Sequence, residues 1–143
     1  MLRLENCRIK KFWPHEEKGE EDEIIRQVMI QVDAEILNSG QVGELYNNLV
    51  RGLVRIAFLD PLTGEEYVLP AAGIRPFNIK QKKVKLGGGS DYVKSEFAEM
   101  TLTAKIPDDS GGAILTDLYR FFGIPIQISM EELSFGAAQE PAD

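Results

Sequence analysis

The sequence predicts an α+β fold made of two β-β-α-β units related by a pseudo-twofold axis, with helices packed on an antiparallel or mixed sheet. The first observation is a repeated heptapeptide: residues 6–12 read NCRIKKF and residues 78–84 read NIKQKKV, an offset of 72 positions. The second is that an alternating apolar segment, an amphipathic helix pattern and a short apolar run follow each copy in the same order. This shared order indicates an internal duplication.

The length predicts how the two units are joined. A chain of 143 residues is close to the usual size of one domain and is short for two ordinary ones. We therefore expect a single domain over residues 1–133, made of repeats 1–69 and 73–133 with a linker at 70–72. Residues 134–143 have little to bury and are expected to form a flexible tail.

The first strand of each unit has apolar positions that change phase. Leu2 and Leu4 are even, whereas Cys7 and Ile9 are odd. Because side chains alternate strictly along a strand, such a change requires a bulge, a strong twist or burial on both faces. The second copy shows the same change before Val84, which supports the duplication.

The next segments complete each hairpin. Residues 14–23 are rich in glutamate and residues 87–91 in glycine, and both patterns are typical of loops. Residues 28–36 and 100–106 then alternate apolar and polar side chains, which predicts strands with one face on a core.

A helix and a short strand end each unit. Ser39 is the expected cap of a first helix that ends at Gly52, and a second helix is expected from Asp109 or Ser110 to Gly123. Short strands are expected over residues 53–59, 66–69 and 124–130. Pro125 cannot donate to a ladder, so the last strand should lie at an edge or begin there.

Composition excludes several classes of protein. Hydrophobic residues make up 43% and charged residues 27% of the chain, which is typical of globular proteins, and the apolar runs are too short for a bilayer. The charged N-terminal segment lacks a signal-peptide pattern, so we expect a cytoplasmic protein. Cys7 is the only cysteine, which excludes an internal disulfide and predicts a buried thiol.

Motifs for catalysis, nucleotides and metals are weak. The sequence offers no convincing nucleophile for His15 to activate. The glycines at 87–89 lead into a strand, whereas a phosphate loop leads into a helix. The glycines at 111–112 open a helix, but the aspartates at 108–109 would repel an anion. Asp33 and Glu35 share a strand face without a recognisable third carboxylate and lysine. We therefore expect no enzyme, cofactor or metal.

Charge is segregated along the chain and gives the strongest functional signal. The net charge is −7, yet residues 3–11 carry +3 and residues 75–94 carry +5, which leaves −15 for the rest. If the units share an axis, the two basic strands form one stripe that can bind phosphates, with aromatic side chains stacking on bases. The predicted nucleic-acid-binding residues are Arg8, Lys10, Lys11, Trp13, Lys80, Lys82, Lys83, Lys85, Tyr92 and Lys94.

Two alternatives stay open from the sequence. The lysines can instead act as solvated residues that discourage pairing at sheet edges, with the aromatic residues in the core. The acidic surface, above all residues 16–23, can instead bind a basic protein partner or mimic nucleic-acid charge. Pairing of an edge strand between two copies of the chain also stays open.

Overall fold

Most of the chain folds into antiparallel strands. The computed structural model describes residues 1–85, 92–106 and 111–133. Within these residues the strands are β1 (Leu2–Lys18), β2 (Ile24–Ile36), β3 (Val54–Leu59), β4 (Glu66–Ile74), β5 (Asn78–Lys85), β6 (Tyr92–Lys105) and β7 (Ile126–Glu132). Helices α1 (Ser39–Arg51) and α2 (Gly111–Tyr119) precede β3 and β7, and a 3-10 turn (Glu20–Asp22) lies at the tip of the β1–β2 hairpin.

Six of the strands form a closed sheet. Their order is β2-β1-β7-β3-β4-β6, and β6 pairs back with β2, so that every pairing in the ring is antiparallel. β5 lies outside this ring and pairs with the first half of β6, while β4 pairs with the second half. Each ring strand therefore has a neighbour on both sides, and β5 has one among the described residues.

The phase change in β1 is produced by bulges. The register against β7 shifts between Leu4 and Cys7, where Asn6 has a φ of 51°, and the register against β2 shifts between Ile9 and Lys11. These shifts keep Leu4, Cys7 and Ile9 all buried. The predicted irregularity of this strand is confirmed, whereas β5 runs along β6 without a register shift.

The core fills the inside of the closed sheet. Val28, Ile30 and Val32 of β2 are fully buried, and so are Ile56 and Phe58 of β3. The helices each add a few side chains to the same cluster, among them Leu45 of α1 and Leu118 of α2. Full burial of one such side chain contributes about 1.5–3 kcal/mol, so this shared core is the main source of stability.

The predicted fold class is wrong. Strands account for about 60% and helices for about 20% of the described residues, and the sheet closes on itself without helices packed over its face in duplicated units. The repeated heptapeptides do not have equivalent places either. Residues 6–12 cross two bulges in a strand with neighbours on both sides, whereas residues 78–84 lie in β5, outside the ring.

Several boundaries also differ from the prediction. The cap of α1 is Asn38, whose side chain accepts a hydrogen bond from the backbone N–H of Gln41, and not Ser39. Gly52, with a φ of 93°, ends this helix as predicted. Residues 70–72, the predicted linker, lie within β4. The last strand begins directly after Pro125, while the predicted tail at 134–143 lies outside the described residues.

Candidate nucleic-acid interface on the outer face of the sheet

β1 and β5, which carry the two basic segments, are the outer members of four neighbouring strands in the order β1-β2-β6-β5. Basic side chains of both strands project from the outer face of this part of the sheet. Alternation along β2 turns Val32 and Ala34 into the core and Asp33 to the outside. Asp33 pairs with Arg8 of β1 on one side and with Glu99 of β6 on the other. A charged cluster therefore crosses the strands at this level.

Asp33 joins the two basic segments. The Lys10 Nζ lies 3.5 Å from the Asp33 Oδ2, and the Lys82 Nζ binds the same oxygen from the opposite side. Asp33 is only 6% exposed, and its other oxygen, Oδ1, has no hydrogen-bond partner within the described part of the chain. One buried carboxylate thus fixes the positions of ammonium groups that are 72 residues apart in the sequence.

A second ion pair lies next to the first. The Lys80 Nζ donates to the Glu99 Oε2 at 2.6 Å, and this hydrogen bond is the main reason why the pKa of Lys80 is raised. The Lys82 Nζ also lies 4.9 Å from the centre of the Phe97 ring, at a distance typical of a cation–π contact. We call Arg8, Lys10, Asp33, Lys80, Lys82 and Glu99 the Asp33 cluster.

The cluster exposes its positive charges and buries its negative charges. The side chains of Lys10, Lys80 and Lys82 are 47%, 46% and 40% exposed, against 8% for Asp33 and 20% for Glu99. The cluster contains four cations and two carboxylates. An anion approaching from solvent would therefore meet ammonium groups first, which makes the face suited to phosphate despite the negative charge of the whole chain.

Two of the predicted lysines lie elsewhere. Lys83 and Lys94 are directly opposite each other in the β5–β6 ladder, on the face that lacks the Asp33 cluster. The prediction of one stripe containing all the basic residues is therefore wrong for this pair, because neighbouring residues of a strand point to opposite faces. The side chains of Lys85 and Tyr92 fall outside the described residues.

The remaining predicted residues of β1 have other contacts. Arg8 donates through Nη1 to the carbonyl of Gly123 at 2.9 Å. The Lys11 Nζ lies 5.1 Å from the centre of the Trp13 ring, and Trp13 is half-buried. Trp13 is thus both half-buried and in contact with a lysine, which makes it a poor platform for a base.

Glu99 was not identified as a site residue from the sequence, and Asp33 was identified for a different role. Alternation along their strands correctly places both on the outer side. Their meeting depends on the β2–β6 ladder, which pairs residues 66 positions apart and closes the sheet. No local pattern reports that pairing, so the sequence identifies the lysines but not their carboxylate partners.

The residues considered for catalysis or metal binding have other contacts in the part of the chain that the structure describes. His15 is partly exposed and its Nε2 lies 3.5 Å from the Glu17 Oε1. Asp33 is bound by two lysines and Glu35 accepts a hydrogen bond from the Asn6 amide at 2.9 Å. Among the described histidine, cysteine and acidic residues, no group of three is arranged to hold a metal ion.

No protein-family model, curated protein or solved structure matches the chain. In the described ranges, no helix is long and apolar enough to cross a membrane.

Proposed function

We propose that the chain is a non-enzymatic accessory protein that binds nucleic acid, with single strands favoured, through the Asp33 cluster. The observation that carries the proposal is that Lys10 of β1 and Lys82 of β5 reach the same carboxylate. Two basic segments that are far apart in the sequence are therefore positioned to bind one ligand together. We expect this binding to take place in the cytoplasm.

The arrangement of the lysines favours the binding of phosphate groups. Each lysine is already held near a carboxylate, so little side-chain entropy is lost when a phosphate joins it. The half-exposed ammonium groups keep donor positions directed to solvent, because an ammonium has three donors. With about three phosphates neutralised on a single strand, the logarithm of affinity should fall with the logarithm of salt concentration with a slope of about −2.

The proposal is tested by fluorescence anisotropy with a labelled single-stranded oligonucleotide at 25 and 200 mM salt. We expect binding at low salt that weakens at high salt. Lys82→Ala removes a cation from the Asp33 cluster and should lower the affinity about tenfold. Lys83→Ala is the matched control, since it removes the same charge from the neighbouring residue on the other face.

Two outcomes contradict the proposal. The first is no binding of the wild-type protein at 25 mM salt. The second is an equal loss of affinity in Lys82→Ala and Lys83→Ala, which would show that only overall charge matters. A duplex of the same length, run beside the single strand, tests the preference between the two forms.

The tip of the β1–β2 hairpin favours a second candidate function, binding of a basic protein. Glu20 and Glu21 lie in the 3-10 turn, Glu23 follows it, and all three are exposed. In the described part of the structure none of the three forms an ion pair, whereas the nearby Asp22 contacts Lys18 at 3.8 Å. A lysine-rich peptide should bind the wild-type protein and bind less after the three glutamates are changed to glutamine. Unchanged binding would remove this candidate.

A further inference from the structure

Three aromatic side chains contact one another where α2 ends, and two of them are exposed. Phe121 is buried in the core, but Tyr119 is 72% and Phe122 is 43% exposed. The rings of Tyr119 and Phe122 are nearly parallel, with an angle of 4° and centres 6.4 Å apart. The ring of Phe12 meets Phe122 edge-on, with centres 5.9 Å apart. We call Phe12, Tyr119 and Phe122 the aromatic platform.

The backbone attaches this platform to β1. The N–H of Gly123 donates to the carbonyl of Ile9 at 3.3 Å, and Ile9 forms a parallel bridge with Phe122. Gly123 has a φ of 74°, a conformation that residues with a side chain rarely adopt, and this turn keeps Phe122 beside the strand. The platform is therefore held in place by the fold and does not depend on a loose loop.

Arg8 connects the platform to the Asp33 cluster, although Phe12 stands opposite the core residue Ile30 on the inner side of β1 and the cluster lies on its outer side. The guanidinium of Arg8 donates to the carbonyl of Gly123, directly after Phe122, and Arg8 pairs with Asp33 across the β1–β2 ladder. A ligand that covers both surfaces must pass around β1 at Arg8, and it must combine flat apolar rings with closely spaced negative charges. Unpaired bases linked by phosphates have this chemistry, because every base has a face that stacks on aromatic rings.

We propose that the aromatic platform is a base-stacking subsite for single-stranded nucleic acid, with the phosphates of the same strand bound by Arg8 and the lysines of the Asp33 cluster. This inference rests on the proposed function and names its ligand more closely. It also assigns base stacking to Tyr119 and Phe122, in place of Trp13, which is half-buried beneath Lys11. A duplex, whose bases are already stacked, cannot use the platform.

The test compares two single-stranded probes of equal length, an oligodeoxythymidine and an oligonucleotide in which every base is replaced by an abasic site. Both carry the same phosphates, so only the first can stack. We expect the wild-type protein to bind the oligodeoxythymidine about tenfold more tightly, as expected for one stacked base. This comparison needs no substitution and is independent of any effect on folding.

Substitutions then locate the effect. Tyr119→Leu and Phe122→Leu retain apolar bulk and remove the rings, and each should reduce the preference for the oligodeoxythymidine to about threefold or less. Tyr46→Leu is the matched control, since Tyr46 is also an exposed helical tyrosine in contact with a phenylalanine, at 4.9 Å between the ring centres. It should keep the full preference.

The outcomes separate the subsite from the proposed function. Equal binding of both probes by the wild-type protein, together with weaker binding by Lys82→Ala, overturns the subsite and leaves the proposed function standing. Absence of binding to either probe overturns both. Self-association of the wild-type protein that Phe122→Leu abolishes would assign the platform to a second copy of the chain and would overturn the subsite.

Discussion

Replacing Asp33 by asparagine separates the two roles of the Asp33 cluster, because the substitution keeps the shape of the side chain and removes its charge. At an effective dielectric constant of about 20, unit charges at the 3.5 Å separation of Lys10 and Asp33 attract each other by about 5 kcal/mol. Desolvation of the buried carboxylate offsets most of that attraction. Solvent screening at the half-exposed lysines reduces it further.

We therefore expect Asp33→Asn to lower the free energy of unfolding by about 1 kcal/mol, which corresponds to a fall in Tm of about 3 °C for a chain of this size. The affinity for a single-stranded oligonucleotide should change in the opposite direction. Removing a negative charge from among four cations should strengthen binding by about 1 kcal/mol, or about fivefold, at 50 mM salt. The gain should shrink at 200 mM salt.

Thermal unfolding followed by circular dichroism measures the first effect, and fluorescence anisotropy measures the second. Asp22→Asn is the matched control, because it makes the same change of charge on a side chain that is 92% exposed at the hairpin tip. A fall in affinity for Asp33→Asn, or an equal rise for both variants, would refute the reasoning that the cluster contacts the ligand.

Three further predictions concern the fold. Burial raises the pKa of the Cys7 thiol to about 12 from 9.0, so the unfolded chain loses this proton first as the pH rises. Between pH 9 and 12 this residue should lower the free energy of unfolding by up to about 1.4 kcal/mol per pH unit. Urea unfolding at each pH measures this dependence, and the free energy of unfolding of Cys7→Ala should fall less steeply with pH. Asn38→Ala removes the cap of α1 and should cost about 1 kcal/mol, whereas no loss would show that the hydrogen bond to Gln41 is not stabilising. Phe121→Ala should cost about 3–5 kcal/mol in denaturant unfolding, and a similar cost for the exposed Phe122→Ala would contradict the burial described for this turn.

The sequence predicted the individual elements better than their assembly. The alternation in residues 28–36 correctly predicted a strand, and Gly52 correctly predicted the end of a helix. Both signals depend only on residues that are close in the sequence. The closure of the sheet depends on the pairing of β2 with β6, and strand alternation is the same in an open and a closed sheet. The α+β class therefore followed from elements that were placed correctly apart from their boundaries, combined in an incorrect arrangement.

The candidate site shows the same division. Charge counting identified Lys10 and Lys82, and the structure places both at one carboxylate. Charge counting could not distinguish Lys82 from Lys83, because the two faces of β5 are defined by its register on β6. The predicted second helix ran to Gly123 and so included Phe122, but α2 ends at Tyr119, and the Phe122 ring lies partly outside the core.

The position of β5 outside the ring has a consequence for hydrogen exchange. Opening any ring strand breaks two ladders, whereas β5 can separate from β6 by breaking the one ladder that it has among the described residues. Its amide protons should therefore exchange sooner than those of β2, through a local opening that leaves the core closed. Since Lys80 and Lys82 lie on β5, a bound polyanion that bridges to Lys10 would slow exchange in β5 far more than in the ring. The least protected strand would thus be the most sensitive reporter of ligand binding.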